Sequence, residues 1–175
     1  MKQLSILLFF YLFSFNLYSS EIVTIKLSEI ISSSEAYNLF INDFENTKKK
    51  IFSDFKKSED KLNFEKEDIE NSKIILSQEE YDKRVEKFNL KAKNFQIKVD
   101  NINKKIENYL ESNKATLINE VASIVKKISQ DNNIDIIFNE NNYFLSNSSL
   151  DITGLVIENL NKEKIEFSKF NFNME

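Results

Sequence analysis

The sequence predicts a mainly α protein with a small β body: a long antiparallel helical hairpin, of coiled-coil type, projecting from a small antiparallel sheet. Three observations predict it. Apolar residues recur at alternating three- and four-residue spacings through two successive segments, which is the signature of helices packed along a seam. Pro is absent and only one Gly occurs in 175 residues, so helices can run far without a breaker. Short alternating segments lie before and after the helical stretch, at 21–30 and 134–147, where a hairpin's two ends would meet.

The elements follow in order. "MKQLSILLFFYLFSFNLYSS" carries a basic Lys2, an apolar run from Leu4 to Tyr18 and then Ser19 and Ser20, so residues 1–20 read as a secretory signal peptide. The run is short for a membrane span, which takes ~20 residues. An uncleaved N-terminal anchor is the alternative. In "EIVTIKLSEI" (21–30), Val23, Ile25 and Leu27 alternate with Thr24 and Lys26, giving a half-buried strand. Ser32 to Ser34 supply N-cap residues, and a helix is expected from about Glu35. Its seam runs Ile41, Phe44, Lys48, Ile51, Phe55, Ser58, Leu62, Glu65, Ile69. Ser77 with Glu80 three residues on forms a capping box, so the return helix starts there and the arm, 35–130, has its tip near 72–78. The return seam is unbroken: Tyr81, Val85, Phe88, Ala92, Phe95, Val99, Ile102, Ile106, Tyr109. A helix that long exposes too much apolar stripe to stand alone, so the first arm must fold back on it.

"IDIIFNENNYFLSNSSLDIT" (134–153) then reads as two strands around an Asn-rich reversal, with Ile134, Ile136 and Phe138 on one face. Asp151 caps a short helix from Ile152 to about Asn161. The β-rich body is thus 21–31 with 131–162. The tail, 163–175, alternates weakly and is either an extra edge strand or a disordered end.

Composition excludes several function classes. The absence of Cys and His removes thiol, disulfide and imidazole chemistry, and one Gly leaves no phosphate-cradling loop. Neither an enzyme nor a cofactor is expected, and no metal: Asp131, Asp135 and Glu140 lack calcium-loop spacing and its glycine. The net charge is −4, and losing Lys2 with the leader makes the exported chain one unit more negative. Lysine runs such as "NTKKK" are balanced by acidic neighbours, which argues against nucleic acid. A sheet region this small is marginal alone without disulfide or metal. Association of several copies of the base is the remaining route to stability.

The exported N-terminus, the strand "IVTIKLSEII", the charged two-helix arm and above all "NNIDIIFNENNYFLSNSSLDITGLVIENL" resemble the Skp/OmpH family of periplasmic chaperones over about residues 21–162. The resemblance implies a homotrimer in a Gram-negative-type periplasm, three bases forming one body and three arms enclosing a cavity. There, unfolded outer-membrane β-barrel proteins would be held without ATP. By position, Val23, Ile25, Leu27, Ile136, Phe138 and Phe144 would build the trimerisation body. Phe44, Ile51, Phe55, Leu62, Val85, Phe88, Phe95, Val99, Ile102 and Ile106 form the arm-packing seam. Phe52 and Phe64 lie off that seam and are candidates to face clients. Residues 65–87 carry eight acidic against five basic side chains, which argues against a lipopolysaccharide or membrane-surface contact at the tip. The competing reading is a structural coiled-coil spacer or adaptor of the cell envelope, tethered by an uncleaved N-terminal segment.

Overall fold

Residues 20–171 are described in this computed structural model. The expected signal peptide, but for its last residue, and tail positions 172–175 lie outside them. Strand β1 (Glu21–Ile25) buries Val23 and Ile25, as its alternation requires, but it stops five residues short of the expected end. Helix α1 (Leu27–Ser32) follows instead. Leu27, Ile30 and Ile31 satisfy a helical spacing as well as an extended one. The choice falls to helix because Glu140 accepts hydrogen bonds from the Leu27 and Ser28 amides at 2.6 and 2.8 Å, capping groups that α1 cannot satisfy itself.

Ser34 is fully buried and its hydroxyl accepts from the Tyr37 amide, starting helix α2 (Glu35–Ser72). A short turn leads to helix α3 (Gln78–Asn132), opened by the Ser77–Glu80 capping box. At 1.5 Å per residue the two helices measure about 57 and about 83 Å. Phe44, Ile51 and Phe55 of α2 are buried against Ile102 and Ile106 of α3, forming the core of the arm. The outer faces carry charge.

The extra length of α3 decides the sheet topology. Its last turns pass the foot of the arm and run beside the sheet, burying Leu117, Val121, Ile124 and Ile128 against Ile25, Ile30, Val156 and Leu160. The chain then reverses at Asn133, in the left-handed conformation (φ 55°), and enters β2 (Ile134–Asn139) running in the same direction as β1. The two strands are therefore parallel, not antiparallel.

Three further expectations are corrected. Residues 143–147 form no third strand: short 3₁₀ turns at Glu140–Asn142 and Ser148–Leu150 bracket an irregular segment, and only the isolated Thr24–Asp151 bridge extends the sheet. The register slips between Glu21 and Ile22, which pair with Ile134 and Ile136. This slip turns Ile134 and Ile137 toward the core and leaves Ile136 and Phe138 outside. Helix α4 (Thr153–Leu160) closes the base over Val156 and Leu160. Its C-cap, Asn161, clamps the α1–α2 turn by bonding the Glu35 amide and the Ser33 carbonyl. The tail is neither an edge strand nor disordered as far as Asn171. It lies extended along the foot of the arm, with Ile165 and Phe167 on the base core and Phe170 on the arm core.

Candidate functional site

The base is locked by the segment "DIT". The Thr24 carbonyl accepts from the Ile152 amide at 3.0 Å, and the Thr153 hydroxyl accepts from the Lys26 amide at 2.9 Å. Asp151 accepts from the Thr153 amide and pairs with Lys26 Nζ, both at 2.9 Å. Burial works to raise the Asp151 carboxyl, but the hydrogen bonds from Thr153 and Lys26 outweigh it and hold the group below the usual Asp range. Glu140 behaves likewise: burial opposes ionisation, and the Ser28 and Leu27 amides prevail. Thr24, on the strand face that alternation would leave open, is buried and its hydroxyl lies 3.1 Å from that of Ser146.

The six positions expected in the assembly body separate into two groups. Val23 and Ile25 are buried inside the single chain and Leu27 is half-buried on its core. Ile136 and Phe138 stand on the open side of β2, and Phe144, 105 % exposed, projects fully into solvent beside Leu145. Among the described residues, these apolar side chains of the base are left open.

Along the arm, the positions with seam spacing are the buried or half-buried ones. Leu62, Val85, Phe88, Phe95 and Val99 are half-buried, so most of the seam packs more loosely toward the tip, with Ile69 buried there as the exception. Clefts open there, one of about 350 Å³ between Phe52, Phe55, Phe95 and Val99 and one of about 160 Å³ between Ile69, Tyr81, Val85 and Phe88. Phe52 is half-exposed and packs edge-on against Phe55, whereas Phe64 is 70 % exposed. Leu39 of α2 and Leu90 and Ile97 of α3 are open too. Leu90 and Ile97 are seven residues apart, which puts them on one outer face of α3. They stand singly among charges and carry no seam rhythm of their own. At the tip, Ile74 and Ile75 are almost fully exposed, while Lys91–Glu65 and Arg84–Asp68 pairs tie the two helices together.

Comparison with known proteins decides what this architecture belongs to. Residues 21–160 match the family described as outer membrane protein (OmpH-like). The chain belongs to the OmpH-like family. A solved OmpH-like structure from Caulobacter crescentus CB15, designated a candidate outer membrane chaperone, is similar with a TM-score of 0.79 at 13% identity. The similarity covers 90% of this chain and 93% of that one, and at that identity it reports the fold. No curated protein matches the chain. Among the described residues no helix is long and apolar enough to cross a membrane, and no acidic cluster is arranged to hold a metal ion.

The OmpH-like match ends at Leu160, so the strap formed by the tail lies beyond it. Phe167 packs 4.7 Å from Phe40 and 5.8 Å from Tyr37, between ring centres. Phe170 packs 4.9 Å from Tyr109 and 5.4 Å from Phe44. Between them, the Ser168 amide donates to Asn113 Oδ1 at 2.8 Å and the Tyr109 hydroxyl donates to the Ser168 carbonyl at 2.8 Å. Burial pushes the Tyr109 phenol up, against a smaller opposing effect of its backbone hydrogen bond to Phe170. Asn113 is only 1% exposed. It stands midway between Tyr109 and Leu117, on the apolar stripe of α3, where its side chain needs a partner. That polar residue in an apolar stripe, with the aromatic spacing of the tail, was the available signal for a contact the heptad reading passed over.

Proposed function

We propose that this chain is an ATP-independent periplasmic holdase that works as a homotrimer and keeps unfolded outer-membrane β-barrel proteins from aggregating. The observation that carries this reading is the scatter of exposed apolar side chains along a charged arm, Leu39, Phe52, Phe64, Leu90 and Ile97 among them. Singly placed, they make a surface of many weak contacts. Such a surface gains strength through multivalency and lets go at each point. Barrel strands present alternating apolar residues and unpaired edges, the features such contacts can cover. Release needs no hydrolysis, because folding into the membrane is the stronger sink. Three copies joined through Ile136, Phe138 and Phe144 would cover the open base patch and set the arms around one cavity. Export by the N-terminal leader supplies the compartment. The acidic tip disfavours a phosphate-rich surface as partner.

The test is the solution mass of the leader-free protein by light scattering on a sizing column, alone and after dilution of a urea-unfolded outer-membrane barrel into it without nucleotide. A trimer that carries the barrel as one discrete soluble species is the expected result. A two-chain assembly, or a trimer that leaves the barrel to precipitate, overturns the proposal in favour of an envelope spacer.

A further inference from the structure

The strap is held by its backbone as well as by its two rings. Asn113 and the Tyr109 hydroxyl take the N–H and the C=O of one residue, Ser168, so they read backbone groups that any residue but proline could offer. Two rings flank that residue and pack on Phe40, Phe44 and Tyr109, and beside them a cleft of about 400 Å³ stays open, walled by α2, Tyr109 and the strap itself. The Ser168 hydroxyl, 2.9 and 3.1 Å from the Asn113 amide group, adds a side-chain hydrogen bond. The groove under the strap, formed by Tyr37, Phe40 and Phe44 of α2 with Tyr109 and Asn113 of α3, lies inside the family-matched range, whereas the strap lies outside it.

We propose that the groove between α2 and α3 at the foot of the arm is a binding site for extended polypeptide bearing paired aromatic residues, and that segment 163–171 fills it as a displaceable self-ligand. The strap satisfies Asn113 and covers the rings while no other chain is bound. An incoming unfolded chain displaces it by offering the same backbone groups and rings. That the incoming chain is an unfolded protein rests on the holdase reading; that the groove binds such a segment does not. Tethering keeps the strap at high effective concentration. Occupation in trans therefore favours a client already held elsewhere on the arm.

The test uses the full-length leader-free chain and a labelled peptide with the sequence of residues 163–171, followed by fluorescence anisotropy. With Phe167→Ser and Phe170→Ser, the strap is released, and the peptide should bind about tenfold or more tighter than to the unaltered chain. A peptide with Ser in place of both Phe should not bind. Adding Asn113→Leu should remove binding while helicity by circular dichroism is unchanged. In the unaltered chain, adding an unfolded barrel should speed hydrogen exchange at the Ser168 amide. Equal peptide binding with and without the strap, or binding that survives Asn113→Leu, overturns the proposal. If the released form ignores the peptide yet still keeps the barrel soluble, the groove proposal falls and the holdase reading stands. If it binds the peptide but the barrel precipitates, the groove stands and the holdase reading falls.

Discussion

Two carboxylates hold the base together. Glu140 caps α1 from across the sheet, and Asp151 ties α4 to the end of β1 through Lys26. Both carboxyls ionise more readily in the folded chain than in the unfolded one. The stability they contribute is therefore present above the unfolded carboxylate range and is lost as pH falls through the lowered folded values. Thermal unfolding followed by circular dichroism should show a melting point that drops between about pH 6 and about pH 3. Glu140→Gln and Asp151→Asn should each cost about 1 kcal/mol at neutral pH and flatten that dependence. A drop as steep in the double variant as in the unaltered chain would place the acid sensitivity elsewhere. Neither role is visible one-dimensionally: Glu140 lies 113 residues from the helix it caps, and in the sequence it looks like part of a solvated turn.

At the scale of the elements, the seam gives the arm its order and its weakest end. Ile51 is fully buried between the helices, so Ile51→Ala should destabilise the chain by about 2–5 kcal/mol in urea unfolding, through lost burial and the cavity left behind. Leu62→Ala, at a half-buried position nearer the tip, should cost clearly less. Nearly equal losses would contradict the graded packing. The helices were legible because seam rhythm and capping chemistry are local: Ser34 and Ser77–Glu80 announce their starts within four residues. The sheet was less so. β1 ends early because of Glu140, the strands run parallel because α3 exceeds α2 in length, and a slipped register exchanges Ile136 for Ile137 in the core. Each of these is set by a residue or length far away in the chain. The tail was misread for the same reason, since Phe167 and Phe170 gain their meaning only from Tyr37, Phe40, Phe44 and Tyr109.

For the whole molecule, the open face of the base is what an assembly would have to use. Phe138→Ser with Phe144→Ser should shift the mass measured by sedimentation at micromolar concentration toward a single chain, with little loss of helicity, because neither ring contributes to the two cores of the chain. An unchanged mass would direct the search for an interface away from β2. The crossover between the strands carries a temporal consequence as well. Glu21 pairs with Ile134, so the first strand made has no partner until the entire arm has been synthesised and doubled back. Closing so long a connection is entropically costly, whereas the arm's contacts accumulate from its own tip by zippering. Pulse-labelling hydrogen exchange during refolding should find amides of α2 and α3 around Ile51 and Ile102 protected before those of β1 and β2. Simultaneous protection would mean that the sheet nucleates the fold. Until the zipper reaches Asn133, a newly made chain has an arm but no foot, and any assembly through the foot must wait for it.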